Sequence, residues 1–223
     1  MNKSYYILFF VFAVIVSCNE TDKVGDTSLS NSKSTELHNI NSSMSLDRFV
    51  EFVANKENQL TKNKEISDIN FQLAFMPKEY LAYLELKNEN YSKEQFAKTA
   101  SHYEGMSYFN LRLHLLKGQG ELLKYNLSSG QQYEARIKYM SFEMQKDVFL
   151  VQGNDTLLPG MFHFERIFEV APYATVMLAF DNAKFNQEEE FTIVYNDKLF
   201  NKGFIKYNYK NNQLIDLPNI TGV

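Results

Sequence analysis

The sequence predicts a mainly β domain with helices at its N-terminal side, in which antiparallel strands form a two-sheet sandwich. Two observations carry the prediction. After Gly105 the chain breaks into six or seven short aromatic or β-branched runs separated by turn residues, with no helical spacing between them, whereas helical spacing is confined to residues 45–104. A third concerns the core. With 44% hydrophobic residues, 19 Phe and 14 Tyr but no Trp, the chain has enough apolar area to fold without disulfides.

The chain begins with Lys3 in a short positive end, an apolar run from Tyr5 to Val16, and Ile15-Val16-Ser17 directly before Cys18, the only cysteine. That run is shorter than the roughly 20 residues needed to span a bilayer and matches the roughly 7–15 of a secretory signal. Ile15-Val16-Ser17-Cys18 resembles the lipobox of bacterial lipoproteins. The resemblance implies that residues 1–17 are a signal peptide, cleaved before Cys18. It also implies that the Cys18 thiol carries a diacylglyceryl group and that its new amino group is acylated, as with palmitate. Each buried CH₂ is worth about 0.8 kcal/mol, so two or three chains hold such a protein on its membrane almost permanently. Asn19, rather than Asp, follows the cysteine, and Glu20 and Asp22 come close behind. This pattern resembles outer-membrane and surface lipoproteins of Gram-negative bacteria more than inner-membrane ones.

Removal of residues 1–17 also removes Lys3, so the 23 basic and 27 acidic side chains become a formal net charge of about −5. No Lys/Arg block with interleaved aromatics interrupts that balance, which argues against nucleic acid as a partner. With Cys18 lipidated no thiol remains, which excludes cysteine nucleophiles, thiol redox chemistry and cysteine metal sites. No cofactor motif is present either. Residues 18–44 are rich in Ser, Asn and Thr and read as a flexible tether; as a random coil, the stretch after Cys18 spans about 28 Å.

Order is expected from Ser45, an N-cap for Leu46, Phe49, Val50 and Val53 at helical spacing through about Asn58. Ile69, Phe71, Leu73 and Phe75 then alternate with polar or small residues as a strand up to Pro77, which opens a helical turn through Tyr80, Leu81 and Leu84. Ser92 and Gln95 form a capping-box pattern ahead of a helix to about Tyr103, closed by Gly105.

From residue 105 to 223 the sandwich is expected. Phe109 to Leu115 alternates, and Tyr133 to Phe142, Val148 to Gln152, Met161 to Phe168, Thr175 to Phe180, Phe191 to Tyr195 and Phe204 to Tyr209 all read as strands. Ser128-Ser129-Gly130, Gly153-Asn154-Asp155, Pro159-Gly160 and Asn201-Lys202-Gly203 supply the turns. Ig-like domains share this rhythm, although the disulfide and buried Trp of antibody domains are missing. Tyr133 with Tyr139, and Tyr207 with Tyr209, are expected on single strand faces, with the core as their first destination.

Chemistry is sparse. His38 falls in the tether, His102 near a helix end, and His114 and His163 on strands. His163 and Glu165 share a strand face, the one pair from which a metal or acid–base site would start, but no second ligand motif accompanies them. Glu188-Glu189-Glu190 reads as a solvated turn. Asp155-Thr156-Leu157, expected in a turn, resembles a three-residue O-glycosylation signal of some Gram-negative secreted proteins. No nucleophile elbow, phosphate loop, zinc-protease motif or EF-hand loop occurs. The expected function is therefore a non-enzymatic, lipid-anchored envelope protein that binds another envelope protein through an exposed apolar or Tyr-rich patch. A glycan or small-ligand binder is the alternative, and a hydrolase with a site assembled from distant residues is the third reading.

Overall fold

A computed structural model describes residues 43–117, 120–165 and 171–221. Cys18, the signal, His38 and most of the tether lie outside them, as do the last residues of the strand expected to reach Phe168. The described residues belong to one compact unit.

Strands predominate over helices, and both large sheets are antiparallel. One has five strands in the order β2(Thr61–Ile66), β3(Ile69–Met76), β4(Met106–Leu115), β8(Tyr173–Asp181), β7(Met161–Glu165). The other has four, β10(Gly203–Tyr209), β9(Phe191–Asp197), β5(Val148–Gln152), β6(Asp155–Leu157). A two-residue parallel pair, β1(Ser43–Met44) with β11(Asn219–Ile220), joins the first described residues to the last strand.

Alternation decides which side of each strand is buried. Ile69, Phe71, Leu73 and Phe75 on β3 stand opposite Leu115, Leu113, Leu111 and Phe109 on β4, and all are buried. From the four-stranded sheet, Tyr195 meets Phe71 with ring centroids 6.3 Å apart, and Tyr209 meets Phe109 edge-on at 5.6 Å and stacks on Phe191 at 5.1 Å. The two sheets thus share one aromatic core. Tyr207 and Tyr209 lie on the same face of β10, 1% exposed, as the sequence predicts.

The helices are interleaved with the strands rather than gathered ahead of them. Only α1(Leu46–Ala54) precedes the sheets; α2(Lys78–Leu86) and α3(Lys93–Ser101) link β3 to β4. Ser45 caps α1, and Ser92 and Gln95 close the expected capping box in both directions, at 3.3 and 2.7 Å. Leu46, Ala82, Leu86, Phe96 and Ala100 bind these three helices into a second, smaller apolar cluster.

The segment from Tyr133 to Phe142 is not a strand. It forms α4(Gly130–Lys138), followed by a π turn over Tyr139–Glu143. Gln131, Gln132, Glu134, Ala135, Arg136 and Lys138 are good helix formers, and Ser129 accepts the Gln132 N–H at 3.4 Å while the Gln132 side chain accepts the Ser128 N–H at 2.8 Å. Tyr133 and Tyr139 accordingly share no strand face: Tyr133 donates to Glu121 at 2.7 Å and Tyr139 to Asp147 at 3.1 Å. Asp155-Thr156-Leu157 is also corrected, from turn to strand, because Gly153 at φ 56° lets the chain reverse one residue earlier and pair as β6.

Candidate functional site: the outer face of the five-stranded sheet

On the core side of the five-stranded sheet the side chains are mostly apolar, with Lys62 and Lys64 of the edge strand β2 and Ser107 of β4 as exceptions, whereas those on the other side are mostly polar and form rows across its strands. Asn63, Gln72, Arg112, Thr175 and Glu165 stand opposite one another in sequence from β2 to β7. Beside them runs Glu65, Asn70, His114 and Tyr173, and on the other side Thr61, Ala74, Asn110, Met177 and His163. Asn63, Gln72 and Arg112 of the first row and all four residues of the second line a concavity of about 610 Å³, together with Lys56 and Pro172.

Hydrogen bonds hold this face in a defined arrangement. Asn63 Oδ1 accepts from both Asn70 Nδ2, at 3.1 Å, and Gln72 Nε2, at 3.0 Å. Arg112 donates from Nε to Thr175 Oγ1 at 3.3 Å, and its guanidinium carbon lies 4.7 Å above the Tyr173 ring centre. The remaining groups are open. Among the described residues the Glu65 and His114 side chains and Gln72 Oε1 have no hydrogen-bond partner, and Asn70 and Asn110 each keep a shielded amide oxygen without a donor. A buried unpaired acceptor costs about 1–3 kcal/mol, so these are features that folding alone does not favour.

A second cavity, of about 370 Å³, lies between Pro77, Gly105 and the segment from Leu214 to Ile220. Several polar groups in and beside it are already paired: Lys78 with Glu104 at 2.7 Å, Ser107 with Asn182 at 2.8 Å, and Tyr103 with Glu85 at 2.8 Å. Burial, and then the Glu85 carboxylate, push the Tyr103 hydroxyl up to about 12. The sheet face, which keeps the shielded and unpaired amide oxygens of Asn70 and Asn110, is the better candidate.

His163 and Glu165 do share a face of β7, both exposed, at the edge of the polar rows. The structure adds no third ligand to them, and among the described residues no three His, Cys, Asp or Glu side chains converge. His114 is brought into the concavity, which sequence spacing did not reveal. Glu65 is separated from it by the whole width of β3, about 9–10 Å by strand spacing, beyond the reach of a shared proton. Among the described residues Glu65 is the only carboxylate lining the concavity, whereas retaining glycoside hydrolysis needs two about 5–5.5 Å apart. His102 caps α3 at its C-terminal end.

The other polar cluster is structural. Asp197, 2% exposed, accepts from the Tyr195 hydroxyl at 2.9 Å and from the N–H groups of Leu199, Phe200 and Lys202 at 3.0–3.2 Å, holding the turn between β9 and β10. Arg136 donates to the carbonyls of Leu123 and Tyr125 and so pins α4. Among the described residues no helix is long and apolar enough to cross a membrane. No protein-family model matches the chain, and comparisons with curated proteins and with solved structures gave no match.

Proposed function

We propose that the chain is a lipid-anchored, non-catalytic cell-envelope protein, held at the outer membrane of a Gram-negative bacterium through Cys18, whose two-sheet sandwich binds a glycan on the outer face of its five-stranded sheet. The polar row from Asn63 to Glu165 carries the reading. Amides fanned from Asn63, a guanidinium stacked on Tyr173, and open Gln72, His114 and Glu65 groups offer donors and acceptors spaced for sugar hydroxyls, with the Tyr173 ring as the apolar wall. A hydroxyl seated beside Asn70 supplies the donor that its amide oxygen lacks.

This ligand is favoured over an envelope protein as the main partner. The exposed large apolar residues Leu116, Phe142, Leu158, Phe204 and Ile215 come from five separate segments, and Phe204 and Leu158 stand at opposite edges of the four-stranded sheet. Calorimetric titration of the chain with cello-, chito-, xylo- and manno-oligosaccharides tests the proposal. Binding by one series, abolished by Arg112→Ala and by Gln72→Ala, is expected; no heat from any series, or binding that ignores both substitutions, contradicts it. For the anchor, Cys18→Ala should yield an uncleaved precursor without lipid by intact mass.

A further inference from the structure

The edges of the two sheets meet along one side of the domain. Strand β2 is an edge of the five-stranded sheet and β10 an edge of the four-stranded one. Gln213 Nε2 donates to the Gln59 carbonyl at 3.0 Å, Lys62 Nζ lies 4.6 Å from the Tyr209 ring centre, and Lys202 Nζ donates to Ser67 Oγ at 3.2 Å. Numbers rise along one strand as they fall along the other, so the two edges run antiparallel. Among the described residues no backbone hydrogen bond joins them.

Lysines line this seam: Lys62 and Lys64 on β2, Lys202 and Lys210 at the two ends of β10, and Lys206 on its outward side. Among the described residues none of the five has a carboxylate partner; the ion pairs there use Lys78, Lys124, Lys138, Lys184 and Lys198. Glu65, the carboxylate of β2, points to the opposite side of that strand, among the polar rows. Edge lysines discourage strand addition by another chain. That role needs no convergence of two edges, and convergence has a cost: burial, and then the charges of Lys210 and Lys64, pull the Lys62 ammonium below its ordinary range. Next to Lys206 on the outward side of β10 stands Phe204, 64% exposed, an aromatic ring with nothing to cover it among the described residues.

We propose that this seam is a membrane-surface site, its lysines taking the phosphates of anionic lipid headgroups while Phe204 enters the acyl boundary. Lysine is a compact point charge suited to phosphate, and an exposed aromatic beside lysines is the composition of an interfacial contact rather than of a site for free phosphate. Net charge favours this orientation, because a chain of net negative charge meets an anionic surface most easily at a concentration of unpaired cations. The inference rests on the proposed Cys18 anchor, which keeps the domain within tether reach of a bilayer.

The lipidated full chain, reconstituted in phosphatidylcholine vesicles or in vesicles with one part in three phosphatidylglycerol, is acetylated at its amines and read by mass spectrometry. Lys64, Lys206 and Lys210 should label about fivefold less with phosphatidylglycerol, while Lys93 and Lys98 on α3 label equally in both. Equal labelling of the seam lysines, or a uniform fall at all lysines, overturns the proposal. So does protection by millimolar tripolyphosphate in neutral vesicles without protection by phosphatidylglycerol, which makes soluble phosphate the ligand. A chain that washes from neutral vesicles refutes the anchor; its retention on anionic vesicles with the same footprint still supports the seam, and release from both overturns it.

Discussion

The two sides of the five-stranded sheet are built from the same strands and differ in what they leave unfinished. On the inner side Phe71, Leu73, Phe109, Leu111 and Leu113 are wholly buried, each touching residues of both sheets or of neighbouring strands. On the outer side Gln72, Arg112 and His114 alternate with them along the same backbone, and several of their donors and acceptors face no partner. Period-2 geometry thus separates stability from binding residue by residue: a change at Leu111 acts on folding, and a change at Arg112 acts on what the surface can hold.

The sharpest way to break this separation is on the inner side. Phe109 packs against Phe75, Phe180 and Tyr209, and Phe109→Ala should cost about 3–5 kcal/mol in denaturant unfolding. A smaller loss distinguishes satisfied from unsatisfied groups within the core. Asp197→Ala strands one buried and two half-buried N–H donors and the buried Tyr195 hydroxyl, and should cost upwards of about 2 kcal/mol. Tyr195→Phe, which loses the bond to Asp197 and the hydroxyl contact with Tyr139, should cost about 1–2 kcal/mol. Tyr209→Phe removes a buried hydroxyl that has no partner while keeping the stacked ring, and should raise stability, by about 1 kcal/mol.

Alkaline pH probes the same core. Burial raises the hydroxyls of Tyr139, Tyr195, Tyr207 and Tyr209 above the ordinary tyrosine range, and Tyr103 up to about 12. A raised folded value means the stabilisation is complete below the unfolded value, near 10, and is lost as pH rises toward 12 and beyond. The denaturant midpoint should therefore hold steady up to about pH 10 and fall above it, together with the rise of tyrosinate absorbance. Smallest of all, Arg112→Ala and Gln72→Ala on the outer side should leave the midpoint within about 0.5 kcal/mol of the parent while removing ligand binding.

Much of the inner side was legible in the sequence, because Ile69 to Phe75 and Phe109 to Leu115 alternate cleanly and bury every apolar position. The capping box at Ser92 was equally clear. At Tyr133 to Phe142, aromatic and β-branched content outweighed a cap signal of the same form, Ser129 followed by Gln132, together with a run of strong helix formers. Strand β2 escaped notice because Thr61-Lys62-Asn63-Lys64-Glu65 is polar on both sides, as an edge strand can be. Of the candidate site only its edge, His163 and Glu165, was legible. Its rows draw one residue from each of several strands far apart in the chain, so only register reveals that Asn63, Gln72, Arg112 and Thr175 are neighbours, and that His163 and Glu165 end two of those rows.

Mapping side-chain amide and guanidinium NMR shifts during titration with the oligosaccharide series that binds tests the central claim most directly. Shifts confined to Asn63, Asn70, Gln72 and Arg112, with the core amides unmoved, are the predicted result. Shifts centred elsewhere on the domain, or none at saturating sugar, would contradict the assignment of the ligand to the polar face.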